Sequence, residues 1–387
     1  MDTNHDLTEW LISEGRQLSG IETVLQALIE RLRANRLPIA RVLLSHSTLH
    51  PELSAITYIW TEDRGTVAES LVPHGVQGTP IYLNSPIRRI YEGEDMVRGR
   101  LDGDAPFAYP IFNELKAEGF TDYVAYRLAL SRGQAAPIAL ATKQPGGLTD
   151  TECETIRRLL PGLAAVIETH LLWSLTGTLL NTYLGSDAGS RVLTGQIQRG
   201  LVDTIHAVVW YCDLRGFIGL SNRLPGPYLV AVLNDFFEAV AEPVHAHGGE
   251  VLKFMGDAML AIFRIDDKTN DADACETALT SAELALQGMK RLNRRRSTEE
   301  KPPLDFGLAL HLGDVMYGNV GAPACLDFTV TGPAVNLAAR IEGLSAELGR
   351  QLLLSSAFVA QCPGAFSSLG KFPLKGMATP QEVFVPA

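Results

Sequence analysis

Two aspartates stand where strand-like runs of apolar residues give way to turns. Asp213 follows the run His206 to Cys212 and precedes Leu214-Arg215-Gly216-Phe217, and Asp257 lies in Gly256-Asp257 between Glu250 to Met255 and Ala258 to Phe263. Singly, each is an ordinary turn former or helix cap. As a converging pair they can hold two divalent ions, because magnesium favours one or two carboxylates completed by substrate phosphates. Such a pair activates an attacking oxygen and stabilises a leaving one in an in-line displacement at phosphorus. Gly216 lets neighbouring backbone N–H groups approach a phosphate. No Gly-x-x-x-x-Gly-Lys-Ser/Thr stretch is present, so phosphate binding would rest on the metals and on this turn.

A second cluster is Thr329-Val330-Thr331-Gly332-Pro333-Ala334-Val335-Asn336-Leu337-Ala338-Ala339-Arg340. Pro333 suits the first position of a helix. Asn336 and Arg340 are four residues apart and therefore share a helix face, presenting an amide and a guanidinium to one place. Their bland alternative is a surface arginine and an asparagine making local bonds. His245 and His247 lack a third ligand and read as helix-end residues, and Cys212 has no histidine partner and reads as a packed strand residue.

The elements around these residues predict their convergence. A strand at His206 to Cys212, a helix at about Tyr228 to His247, strands at Glu250 to Met255 and Ala258 to Phe263, a helix at about Asp271 to Leu292 and a strand at Leu304 to Leu312 follow one another. This β-α-β-β-α-β order is the ferredoxin-like split unit, an antiparallel sheet with two helices on one face. Its first strand end and its second hairpin are neighbours, which brings Asp213 to Asp257. Leu229, Leu233, Phe236, Val240 and Val244 give the first helix a buried stripe, with Pro243 expected to bend or end it. Leu304, Phe306, Leu308, Leu310 and Leu312 alternate as in a half-buried strand.

The first part of the chain reads as a separate α+β domain: helical spacing at Leu7, Trp10, Leu11 and at Ile21, Leu25, Leu28, Ile29, Leu32, then strands at Ala40 to Ser45, Ser54 to Trp60, Asp122 to Leu128 and Pro137 to Thr142. Thr149 and Glu152 form a capping box for a closing helix that can run through Pro161 toward Tyr183. Gly185-Ser186-Asp187-Ala188-Gly189-Ser190 breaks it. The expected organisation is a sensor or regulatory domain at 1–172, a helical linker at 173–203 and a catalytic domain at 204–387.

Length and composition agree with two folded units: 387 residues exceed one core at roughly 150 residues per domain. The 33 basic and 44 acidic residues give a net charge of -11, which speaks against nucleic acid as a partner. Five cysteines without a Cys-x-x-Cys pair fit neither a disulfide framework nor a structural zinc site, and a reducing cytoplasm is expected. Pro161 to Leu180 is the most apolar helix, but Glu168 and His170 near its middle predict no membrane span, and the N-terminus shows no signal-peptide pattern.

The strings Asp213-Leu214-Arg215-Gly216-Phe217, Lys253-Phe254-Met255-Gly256-Asp257, Gly318-Asn319-Val320-Gly321 and Val335-Asn336-Leu337-Ala338-Ala339-Arg340 together resemble a class III adenylate or guanylate cyclase catalytic domain over about residues 204 to 385. The resemblance implies that Asp213, Asp257 and the backbone carbonyl of Leu214 bind two Mg2+ or Mn2+ ions, and that Asn336 and Arg340 orient the ribose and stabilise the transferring phosphoryl group. It implies further that Lys253 and Thr329 read the base, that Lys375 contacts the terminal phosphates, and that Gly216 and Phe217 border the substrate. It also implies ATP as substrate, converted to cyclic AMP and pyrophosphate, in a head-to-tail homodimer whose active sites lie at the interface. The lysine and threonine pair resembles a subgroup with known bicarbonate stimulation; a guanylate cyclase and a silent cyclase-like signalling module are the alternatives. Pro137 to Thr142, Gly146-Gly147-Leu148-Thr149-Asp150 and the long helix resemble the end of a GAF-type sensor domain, which implies an unidentified small-molecule or protein signal.

Overall fold

The structure, a computed structural model, describes residues 3–103 and 106–387. The chain divides into two compact units, Met1–Leu179 and Leu180–Ala387. In the first unit helices α1 (Thr3–Ser13) and α2 (Ile21–Ala34) precede strands β1 (Arg41–Ser47), β2 (Leu53–Thr61) and β3 (Val67–Pro73). Short helices α3 (Pro80–Leu83) and α4 (Pro86–Tyr91), strand β4 (Met96–Arg100) and helix α5 (Pro110–Ala117) follow, then β5 (Asp122–Ala129), β6 (Ala135–Thr142) and the long helix α6 (Asp150–Leu184). The six strands pair antiparallel in the order β3-β2-β1-β6-β5-β4.

One face of this sheet is sealed by α1, α2 and α6 through Leu11, Leu25, Ile29, Leu44, Ile138 and Ile167. Thr149 caps α6 reciprocally with Glu152: its hydroxyl accepts from the Glu152 N–H at 3.2 Å while its own N–H donates to the Glu152 carboxylate at 2.7 Å. Helix α6 is long and apolar enough to cross a membrane by length and composition. Within it Ile156, Leu159, Leu163 and Ile167 pack in the core, and Glu168 accepts the Ser131 N–H at 3.0 Å.

The second unit opens with α7 (Ser186–Leu193), β7 (Val202–Leu214), α8 (Phe217–Ser221), α9 (Gly226–Ala246), β8 (Glu250–Met255), β9 (Ala258–Arg264) and α10 (Asp271–Thr298). It continues with β10 (Phe306–Ala322), β11 (Cys325–Thr331), α11 (Pro333–Glu342), β12 (Leu352–Ser355), α12 (Ser356–Gln361), β13 (Phe366–Phe372) and β14 (Gln381–Pro386). The sheet order is β13-β14-β12-β10-β7-β9-β8, with β11 hairpinned onto β10.

Two expectations change here. Strand β10 is 17 residues long and its first seven are all buried, because both sheet faces are covered, so the apolar alternation is that of a central strand. Phe306, Leu308 and Leu310 join the α9 and α10 side of the core, while Ala309 packs with Ile341 and Leu353 on the other face. The four strands of the expected unit, β10, β7, β9 and β8, pair antiparallel, and outside that unit β12 runs parallel to β10. Pro243 lies inside α9, which continues to Ala246; the chain turns away two residues later at Gly248, where φ is +74°.

Candidate active site

Asp213 is the penultimate residue of β7, paired across the sheet with Ala258, the residue after Asp257. The Leu214 N–H donates to the Asp257 carbonyl at 3.2 Å, tying the two turns together. Gly256 makes the hairpin possible with a φ of +69°, and Gly216 turns the chain after β7 with a φ of +72°. Arg215 clamps that turn from the side: its guanidinium donates to the Asp305 carboxylate at 2.6 Å and to the Arg350 carbonyl at 2.7 Å. Phe217, the first residue of α8, packs its ring against the α9 and α10 core.

The electrostatics of the aspartate pair are those of a site short of positive charge. Burial, and then the neighbouring Asp257 carboxylate, push the Asp213 carboxyl up to about 6. Asp213 Oδ1 is buried without a hydrogen-bond partner among the described residues. A buried carboxylate oxygen of this kind is costly unless a cation meets it, so the donor set fits a divalent ion. Sequence reasoning passed over Glu342, at the end of α11, which is mostly buried and accepts the Ser345 hydroxyl at 3.1 Å. Burial pushes its carboxyl up to about 7, and the charge of Asp213 adds to the effect. It lies over Gly307, the residue paired with Asp213, where a Cβ would stand 2.1 Å from Glu342 Oε1. An isolated glutamate at a helix end carries no sequence signal that would have singled it out.

The remaining candidate residues fall into separate groups. On α11, Ala334, Ala338 and Ile341 are buried while Asn336 and Arg340 are exposed, so the amide and the guanidinium share the outward face as the four-residue spacing predicts. Lys375 is exposed in the turn before β14, anchored by the buried Leu374. Lys253 on β8 is ion-paired with Asp327 on β11, and Thr329 stands two residues further along β11. The string Gly318-Asn319-Val320-Gly321 lies in β10 and has a structural role. Asn319 is buried, its side-chain amide donates to the Gln196 carbonyl at 2.8 Å, and its N–H donates to the Leu201 carbonyl at 3.0 Å.

Comparison with known proteins bears on the second unit. Residues 203–385 match the family described as the adenylate and guanylate cyclase catalytic domain. The chain is 33% identical over 177 residues to an adenylate cyclase of Anabaena cylindrica, covering 44% of this chain and 34% of the relative. It is 30% identical over 178 residues to adenylate cyclase 1 of Rhizobium meliloti (strain 1021), covering 45% of this chain and 26% of the relative. The chain thus spans about a third or less of these curated relatives, 34% and 26%. A solved structure of a bacterial light-regulated adenylyl cyclase is 16% identical, with a TM-score of 0.51 covering 90% of this chain and 93% of that one, a likeness of fold alone. Residues 203–385, within the second unit, are thus similar to the adenylate and guanylate cyclase catalytic domain.

Proposed function

We propose that the protein is an adenylate cyclase, converting ATP to 3′,5′-cyclic AMP and pyrophosphate under control of its N-terminal unit. The observation that carries this reading is the joining of Asp213 to Asp257 at the end of β7, with a buried oxygen on Asp213 that has no partner among the described residues and a lysine on β8, the strand that leads into the Asp257 turn. Two Mg2+ or Mn2+ ions bound by Asp213, Asp257 and the Leu214 carbonyl would supply charge neutralisation and raise the nucleophilicity of the ribose 3′-oxygen.

The chain's own residues do the rest. The Gly216 turn brings backbone N–H groups toward the triphosphate, and Phe217 borders it. Asn336 orients the ribose by hydrogen bonding, and Arg340 spans two phosphate oxygens with its planar fork as charge accumulates. Lys253 donates to the acceptor nitrogen N1 of adenine, Thr329 is its companion at the base, and Lys375 meets the terminal phosphates. Attack of the 3′-oxygen on the α-phosphorus expels pyrophosphate, and positioning supplies much of the acceleration.

We read the active unit as a head-to-tail homodimer, as the resemblance to cyclase catalytic domains implies, and the exposed Ile218, Tyr228, Val230 and Phe254 support it. The strand order β10-β7-β9-β8 supports a ferredoxin-like reading of its core. The antiparallel six-stranded sheet with its closing helix supports a GAF-like sensor at 1–172, linked through 173–203. Helix α6 is read as part of that sensor core on the strength of its eight buried residues.

The test is direct. Purified protein given ATP with Mg2+ or Mn2+ is expected to release cyclic AMP and pyrophosphate, and Asp257→Ala is expected to lower the rate by about a thousandfold or more. An Asp257→Ala enzyme working at the wild-type rate overturns the metal assignment. GTP offered in competition separates the guanylate alternative, and a folded dimer that makes no cyclic nucleotide from either substrate returns the protein to the silent signalling class.

A further inference from the structure

We propose that the N-terminal unit binds a small primary amine, as its ammonium ion, in a cavity between the end of β1, the β5–β6 turn and α6, with His46 and Glu168 as its acceptors. This gives a ligand class to the control described above, and rests on the cyclase reading only for that control. The cavity measures about 260 Å³ and lies wholly within the first unit. Pockets for drug-sized ligands start at about 300 Å³, so a molecule of few heavy atoms is its match.

His46 is the first acceptor. On β1, Val42 and Leu44 enter the core under α6, and His46 follows two residues later on the same face. Its ring stacks on Tyr58 of β2, with centroids 5.9 Å apart, and the residue is 4% exposed. Nδ1 lies 3.0 Å from the Ser47 carbonyl. A carbonyl only accepts, so Nδ1 carries the proton and Nε2 is left as an acceptor. Nε2 is buried with no partner among the described residues, a costly state until a donor meets it. Burial lowers the pKa of the ring and keeps it neutral, outweighing the Ser47 carbonyl.

Glu168 of α6 supplies the charge. Its Oε1 accepts the Ser131 N–H at 3.0 Å and also the Ser131 hydroxyl, which fixes the carboxylate at the β5–β6 turn. No lysine or arginine is among the described residues that line the cavity, so nothing in its wall balances that carboxylate. Leu130, Leu171, Leu172 and Leu175 give the wall its apolar part. An ammonium group offers N–H donors to Nε2 and a positive charge to Glu168, with its hydrocarbon group against the leucines. An alcohol would satisfy His46 alone, and an anion would be repelled. Helix α6 continues to Leu184, past the end of the first unit at Leu179, so the wall that meets the ligand belongs to the helix by which the chain leaves that unit.

The test is an NMR-monitored titration of the full chain with phenethylamine, phenethyl alcohol and phenylpropionate, in wild type, Glu168→Gln and His46→Phe. Wild type is expected to bind the amine with a Kd of about 1 mM or tighter, the alcohol about tenfold more weakly, and the carboxylate not at all. Glu168→Gln keeps an acceptor for Ser131 but loses the charge, and is expected to bring the amine down to the affinity of the alcohol. His46→Phe keeps a ring against Tyr58 and is expected to weaken amine and alcohol alike by about tenfold. If His46→Phe does not fold, Glu168→Gln decides, since Glu168 stands at the rim of the core. Failure of wild type to bind the amine overturns the inference, as does equal affinity for amine and alcohol, or amine binding that Glu168→Gln leaves unchanged. A chain that binds the amine by this pattern yet makes no cyclic nucleotide keeps the site and strikes the cyclase reading alone.

Discussion

Arg340 sits on the exposed face of α11, where the fold asks nothing of it, so its charge and shape can be tested apart from stability. Arg340→Lys keeps the charge but loses the two-pronged geometry, and kcat is expected to drop by about a hundredfold with an unchanged urea midpoint. His311 behaves oppositely, being structural and remote from chemistry. Burial, and then the nearby His206, bring its pKa down to about 4, and its Nδ1 meets the Ser355 hydroxyl at 2.8 Å. The folded state holds this ring neutral, whereas the unfolded chain protonates it near its ordinary 6.5. Its contribution is therefore complete above pH 6.5, falls as pH drops toward 4, and amounts to a loss of about 2 kcal/mol at pH 5. Asp213 and Glu342, with raised pKa values, act in the reverse sense over the same range. Denaturation of wild type and His311→Asn at pH 7.5 and pH 5 isolates the histidine: the variant is expected to lack about 2 kcal/mol of the acid-dependent loss.

At the scale of elements, Gly318 shows how closely β10 and β7 are matched. Its φ is +155°, and a Cβ there would lie 2.2 Å from the Leu201 carbonyl oxygen. Gly318→Ala is expected to cost about 2 kcal/mol or more, read as a lower urea midpoint, because the obstacle is backbone that cannot step aside. Much of this unit was legible beforehand, since apolar runs at His206 to Cys212 and Ala258 to Phe263 and the stripe on α9 announce the order of strands and helices. The extension of β10 past Leu312 was not, because Gly313, Asp314, Gly318, Asn319 and Gly321 resemble loop residues until pairing with β7 and β11 explains them. Strands β3 and β4 were missed for a related reason: they end the first sheet on either side and carry exposed polar residues such as Glu69 and Arg100.

At the scale of the whole molecule, several large apolar side chains near the aspartate turns remain exposed. Ile218 on α8, Tyr228 and Val230 on α9 and Phe254 on β8 lie open in the single chain, which suits a surface that closes on a second copy. If the site is completed across a homodimer, Asp257→Ala and Arg340→Ala are each expected to be inactive alone. An equal mixture is expected to recover about a quarter of wild-type activity, because half the dimers are mixed and each mixed dimer rebuilds one of two sites. No recovery after confirmed subunit exchange argues for sites made within one chain. A last consequence belongs to Asn319. Its backbone carbonyl accepts the Gly200 N–H at 2.9 Å, and its N–H is held by Leu201, so the hairpin bearing Asp327 is fastened to the segment entering the catalytic unit. The amide protons of Gly200 and Asn319 thereby become built-in gauges: slower deuterium uptake at both on adding nucleotide would register, at the entrance of the domain, that the base has been gripped.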